Sequence, residues 1–442
     1  GWCARRRTWT HRTHGTRQPG SAQEHTIIDQ ADTTTTRKAL LHRFPVFAHH
    51  NFRWFFSGQL VSITGTWMER LAQSWLVLTL TSSAFALGFV PVAQFLPTII
   101  FTLAGGVLAD RMPKRRLMLW TQSLSAILSF LLAALVLADA IALWHIYLFA
   151  FLLGTLNAID APARQSFVTE LVGTRDTVQA VSLNAAAINT GRIVGPALAG
   201  GVLATVGAGW CFAVNGLSFL VVVATLLKMD PRQLYAGAPP KQRGSIRDGI
   251  AFAARHRLIA TSLLAILIAT IFGSNFAVWV PLLAKEVYAT GAGGFGIFMS
   301  ALGVGAVLGA LCLATLGDRT PPGSRVPLQV ALLGAILAGI GLVSTTAAPT
   351  WLAALLVAAF GFVLTFNSSL AASTIQLQAP GEMRGRVMSL YFLCTNGVVP
   401  IGAMLAGSLA QALGTPRMMI VSGGICTVLA LVVFLRAARH SP

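Results

Sequence analysis

Charged side chains make up only 10% of this 442-residue sequence, and 14 acidic residues stand against 32 basic ones. A soluble globular chain carries about 25% charged residues, so a water-exposed surface over the whole length is excluded. Cysteine is sparse as well: Cys3, Cys211, Cys312, Cys394 and Cys426 occur singly, four of them inside apolar stretches. With neither CxxC spacing nor an even framework, they exclude a zinc ribbon and a disulfide scaffold, and the four read as small packing residues. No nucleophile with a base, no metal cluster and no phosphate loop can be assembled around His145 or His256. Catalysis has no machinery here, and no cofactor or metal is called for.

What the sequence has is apolar length. Hydrophobic residues make up 55% of it, and a helix crossing about 30 Å of hydrocarbon needs roughly 20 of them in a run. Such runs recur near 53–80, 84–109, 117–138, 144–168, 179–206 and 210–228, and again near 258–286, 294–316, 326–346, 349–374, 385–413 and 416–436. The expected fold is an all-α integral membrane protein of about twelve transmembrane helices in two six-helix bundles. Residues 51–229 form the first bundle and 258–438 the second. Between them, 230–257 holds Pro231, Pro239, Pro240, Lys241, Arg243 and Arg247, the composition of a solvated connector. Residues 1–50 have no long apolar run and read as a mobile basic tail.

The net charge of +18 would suggest nucleic acid, but position decides otherwise. With the amino terminus in the cytoplasm, Arg111, Lys114, Arg115, Arg116, Arg175, the connector, Arg319, Arg325, Arg384, Arg386 and Arg436 share one side, leaving little beyond Lys285 and Arg417 opposite. That asymmetry is the positive-inside pattern. The expected partners are therefore a bilayer with anionic lipids on the cytoplasmic face, not nucleic acid. The expected location is a cell membrane, a bacterial inner or plasma membrane, with both termini cytoplasmic and a monomer as the working unit.

The halves also resemble each other. Val181-Ser182-Leu183 matches Met388-Ser389-Leu390, and Gly195, Gly200 and Gly207 match Gly402, Gly407 and Gly414 at the same offset. Ala109-Asp110-Arg111 matches Gly317-Asp318-Arg319 with a shift of one. Repeated six-helix halves place a midplane site between two bundles.

Directly after the second run comes Gly106-Val107-Leu108-Ala109-Asp110-Arg111-Met112-Pro113-Lys114-Arg115-Arg116. This segment resembles the signature loop of the major facilitator superfamily, G-x-L-A-D-R-x-G-R-K-R, with Pro113 in place of the second glycine. The resemblance implies a latch of Gly106, Asp110, Arg111, Lys114 and Arg115, in which Asp110 faces the positive amino end of the eleventh span, with Asp318 and Arg319 as counterpart; the plainer reading is a snorkelling basic collar that fixes topology. On the fifth run, Gly191, Gly195 and Ala199 form a small-xxx-small face for close helix approach. With Pro196 and Gly200 they are similar to the GxxxGPxxGG antiporter motif, except that one extra residue precedes Gly200-Gly201. The segment Asn157-Ala158-Ile159-Asp160-Ala161-Pro162-Ala163-Arg164-Gln165 resembles the enterobactin-exporter-like branch, which includes macrolide pumps.

Ionisable groups near a bilayer centre cost about 2.5–3.5 kcal/mol on insertion scales, so each needs a partner, water or a function. Glu69 on the first span and Arg192 on the fifth lie at similar depth and are expected to pair, with Glu69 as proton carrier. The alternative is a permanent structural ion pair. Asp160 and Arg164, one turn apart with the acid first, are the favoured order for an i,i+4 pair and suit cytoplasmic-side gating. Arg70 points about 100° away from Glu69, and the sequence offers it no partner. Gln73, Asn157, Asn275, Asn367 and Asn396 are substrate-cavity candidates, each with interhelical hydrogen bonding as the plainer role. Mostly apolar walls suit a large apolar ligand. The function expected is export of a hydrophobic or amphipathic small molecule, of siderophore or drug class, by proton antiport. Nutrient uptake by symport is the alternative.

Overall fold

The computed structural model describes residues 45–235, 246–316, 325–346 and 348–439. The chain divides into Gly1–Ala48 and His49–Pro442, and in the first of these only the 3₁₀ turn Pro45–Ala48 is described.

Helix α1 is His50–Thr81, α2 is Ala84–Arg111 and α3 is Lys114–Leu137. The helical stretch Leu143–Thr205 is two helices, α4 (143–172) and α5 (174–205), because Gly173 adopts φ 70°, ψ 178° and turns the chain between them. Helix α6 is Ala208–Lys228, and a short α7, Ile246–Arg255, precedes the second half. There α8 is Arg257–Val287, α9 Gly291–Leu316, α10 Val326–Ser344, α11 Thr350–Gln378, α12 Met383–Leu413 and α13 Thr415–Arg439.

Among the described residues ten helical stretches are long and apolar enough to cross a membrane. One of them contains both α4 and α5. Helix α1, with 32 residues, has the length but not the apolarity, since it buries Gln59, Ser62, Glu69, Gln73 and Ser74. Counting α1 and the split helix gives twelve spanning helices.

Helix α8 is not continuous. A π turn at Ala269–Gly273 frees carbonyls ahead of the short segment Phe276–Leu282, and the Asn275 amide answers them, donating to Ile271 O at 2.9 Å and Thr270 O at 3.3 Å. Breaks of this kind persist in a membrane only where a side chain re-satisfies the backbone.

The glycine repeat is where sequence becomes architecture. Gly195 packs on the first helix of its half, with the position a Cβ would occupy 2.7 Å from Thr64 O, and Gly402 packs on α8 in the same way, 2.7 Å from Thr270 O. Five residues later in each half the same pattern crosses between halves: Gly200 on α5 meets Gly296 on α9 backbone to backbone, and Gly407 on α12 meets Gly88 on α2. Two turns further on, Gly207 (φ 89°) and Gly414 (φ 79°) reverse the chain into α6 and α13, a conformation that L side chains rarely adopt. The bundles are thus joined by two equivalent seams, α5 with α9 and α2 with α12.

These seams lie at the end of the molecule opposite the basic loops. Three further contacts close that end. Lys285 Nζ donates to Leu78 O at 2.6 Å and to Ser82 Oγ at 3.2 Å, at the carbonyl end of α1 where cations are favoured. Ser83 Oγ donates to Gln411 Oε1 at 3.1 Å. Trp75 stacks on Phe295 with ring centroids 5.3 Å apart.

Candidate functional site

Helix α1 repeats a buried polar residue about every turn, and in a low-dielectric interior each must be satisfied. Glu69, 3% exposed, is satisfied by neutral donors. Its Oε1 accepts from Gln73 Nε2 at 3.1 Å, and its Oε2 accepts from Ser129 Oγ at 2.8 Å and from Asn215 Nδ2. Gln94 Nε2 donates onward to Gln73 Oε1 at 2.7 Å, and Ser218 Oγ to Asn215 Oδ1 at 3.0 Å. One carboxylate therefore gathers four helices, α1, α2, α3 and α6.

The expected Glu69–Arg192 pair is absent among the described ion pairs. The reason is azimuth. Helix α5 lies against α1 at Thr64 and Trp67, where Gly191 and Gly195 let the backbones close, and Glu69, two residues beyond Trp67, points about 200° away around the helix. Arg192 instead has its guanidinium carbon 5.6 Å from the Trp67 ring centroid and 5.9 Å from that of Phe276. Arg70 shares the same indole at 5.1 Å and also faces Phe95 at 5.5 Å. Cation–π contact is the partner the sequence did not offer Arg70.

Asp160 and Arg164 do meet, at 3.6 Å, with Asp160 only 3% exposed. Thr121 Oγ1 donates to Asp160 Oδ1 at 2.7 Å, and Arg164 Nη1 to Gln59 Oε1 at 3.4 Å. The pair thereby ties α4 to α3 and α1.

In the signature loop, Lys114 bonds Glu170 at the end of α4, and Arg115 donates from Nε to Leu226 O at 2.7 Å and from Nη2 to Leu227 O at 3.3 Å. Arg115 thus caps the open carbonyls of α6. Arg115→Ala is expected to destabilise the protein by about 1 kcal/mol, read as a lower thermal midpoint in detergent. Gly106 is buried, and Asp110 and Arg111 are exposed at the end of α2. Asp318 and Arg319 lie outside the described residues.

The amides divide. Gln73 belongs to the Glu69 network and Asn275 to the α8 break. Asn396 donates locally, to Thr395 Oγ1 at 2.9 Å. Asn157 is exposed. Asn367 is 1% exposed, and its Oδ1 has no hydrogen-bond partner. Sequence reasoning passed over Asn215, Ser129 and Gln94, which are uncharged and far apart in the chain. The one signal that could have found them is the need of a buried Glu69 for donors.

Between the halves lies a crevice lined from both sides. Arg192 and Pro196 come from α5, Phe276 from α8, Met299 and Leu302 from α9, and Leu364, Thr365, Ser368 and Ser369 from α11. Tyr391 Oη donates to Ser368 O at 2.9 Å behind it. This is a mostly apolar wall with hydroxyls on one side and a guanidinium on the other.

The profile of the transmembrane secretion effectors, within the major facilitator superfamily, matches residues 42–440. The chain belongs to this family. Among curated relatives, the staphyloferrin A transporter of Staphylococcus aureus is 25% identical over 387 residues, covering 86% of this chain and 95% of that protein. The enterobactin exporter of Salmonella typhimurium is 27% identical over 405 residues, covering 89% and 95%. Solved structures share the fold: the nucleoside transporter NupG, with a TM-score of 0.67, 14% identity and coverage of 89% of this chain and 100% of that one, and a bacterial homologue of the lysosomal transporter Spinster, inward-facing and unoccupied, at 0.65 and 12%, covering 88% and 97%. The protein is a multi-pass membrane transporter of the major facilitator superfamily and not an enzyme.

Proposed function

We propose that this transporter exports a siderophore-class small molecule by proton antiport, exposing the crevice between its halves to one side of the membrane and then to the other. The observation that carries this reading is the crevice itself, lined by both halves and shut at one end by the two glycine seams and the Lys285 contacts. The names of the relatives, an enterobactin exporter and a staphyloferrin A transporter, support the cargo class and, for the first, the direction. The basic end is taken as cytoplasmic on the positive-inside pattern, which puts both termini in the cytoplasm and the closed end outside. The Glu69 network stands as the proton site, because it is the buried carboxylate whose bonds come from uncharged groups that can accommodate either protonation state. Asp160 and Arg164 are taken as the gating pair near the cytoplasmic end, and the loop around Asp110 as the latch that closes that end in the outward-open state. The working unit is taken as the monomer, since each chain holds a crevice with both walls.

The test is transport by the purified protein in liposomes. An imposed pH gradient is expected to drive enterobactin against its concentration gradient in the direction opposite to proton flow, and collapse of the gradient by an ionophore to stop it. Movement in the same direction as protons would favour uptake by symport. No movement of enterobactin or of a citrate-based siderophore under any gradient would reject the siderophore reading.

A further inference from the structure

Of the five ionisable residues deep in the spans among the described residues, four are balanced locally. Asp160 pairs with Arg164, and Glu69 adjoins Arg70 in the chain. Arg192 is the remainder. Among the described residues no carboxylate stands within ion-pair distance of it and no group hydrogen-bonds it, yet it lines the crevice between the halves. Its nearest charged companion is another cation, Arg70, on the same Trp67 ring. Two aromatic faces, Trp67 from one half and Phe276 from the other, hold the guanidinium plane without using its N–H groups. Those five donors are the feature that arginine offers a planar oxyanion.

We infer that Arg192 is the receptor for an anionic group of the transported molecule, and that the crevice selects aryl oxyanions, a carboxylate or phenolate on a flat apolar body, against cations of the same shape. The flat body follows from the wall: Phe276, Met299, Leu302 and Leu364 offer apolar surface beside the guanidinium, and Thr365 and Ser369 offer hydroxyls across from it. A lipophilic cation would meet the same apolar surface but would face Arg192, with no carboxylate among the crevice-lining residues to receive it. Because Phe276 belongs to α8 and Trp67 to α1, the frame of the guanidinium exists only while these helices are together. The receptor is therefore built from both halves.

This inference rests on the crevice being the transport site, and its test reads charge preference rather than transport. Two xanthene dyes share one ring frame and differ in charge: fluorescein, an anion, and rhodamine 6G, a cation. Fluorescence anisotropy of each is titrated with the purified full-length protein in detergent micelles. The anion is expected to bind at least about tenfold more tightly than the cation, Arg192→Gln to weaken the anion by about tenfold or more, and Arg192→Lys to retain binding to within about threefold. Monodisperse elution of both variants serves as the folding control. Equal or tighter binding of the cation, or an anion affinity unchanged in Arg192→Gln, would overturn the inference, as would failure of the anion to bind at all. Those outcomes leave the siderophore reading to be judged by the liposome assay alone.

Discussion

Glu69→Leu is expected to lower the thermal midpoint of the purified protein by several degrees or prevent folding altogether, whereas Glu69→Gln folds and carries substrate downhill without responding to a pH gradient. The first outcome follows from counting donors. Leucine leaves Gln73 Nε2, Ser129 Oγ and Asn215 Nδ2 without the carboxylate that accepts from them, all three residues being buried. An orphaned buried donor costs about 1–3 kcal/mol, so the loss is about 2 kcal/mol or more even if one donor finds another partner. Glutamine is different because its carbonyl can take the place of Oε2 and keep Ser129 and Asn215. Its amide then faces Gln73, whose own amide can turn over, with Gln94 behind it doing the same. That relay is the one a protonated Glu69 would use, so the variant mimics the proton-loaded state and cannot release it. Thermal unfolding followed by tryptophan fluorescence separates the leucine and glutamine variants, and liposome flux with and without a pH step measures coupling. A glutamine variant that still follows the gradient would remove Glu69 as the proton carrier.

The spans were legible because lipid forces apolar residues into runs, and the repeat was legible because both halves need the same glycines at the same turns. Gly207 and Gly414 could be matched by spacing alone. Azimuth was less accessible. Glu69 and Arg192 share a depth, but which side of α1 receives α5 depends on Gly191 and Gly195 closing on Thr64 and Trp67, a three-dimensional fact with no linear signature. The Glu69 donors were hidden for a related reason, since Asn215 lies 146 residues away and an isolated Asn or Ser in an apolar run has many ordinary roles. Arg70 and Arg192 were hidden because their partners are rings. An aromatic residue in a transmembrane span announces nothing about a cation until the helices are packed. Asp160 and Arg164 were the easy case, one helical turn apart, where local geometry already brings the groups together.

Gly200→Val is expected to cut transport about tenfold or more in liposomes, while Gly201→Val, one residue along the same helix, leaves it near wild type. Propensity alone would treat the two substitutions alike, since each replaces glycine by the same β-branched residue in the same helix. Surroundings separate them. A Cβ on Gly200 runs into the backbone of Gly296 in the other half, whereas a Cβ on Gly201 meets nothing within 4 Å. Backbone cannot move aside as a flexible side chain can, so the valine must push α5 and α9 apart. Overpacking of this kind costs about 1–3 kcal/mol, and as a bias between two conformations that is about 5- to 150-fold. The cost falls only on the conformation in which this end is closed, where Lys285 also reaches Leu78 O and Ser82. Folding of each half is untouched, so the thermal midpoint should stay close to that of Gly201→Val while flux falls. A cysteine placed at Ser83, in a background without the native cysteines, should then react faster with an impermeant maleimide in the Gly200→Val protein, because the contact with Gln411 opens together with the seam. Full flux with unchanged labelling would mean that closure at this end is no part of the transport cycle, and the proposed alternation between the two faces would fall with it.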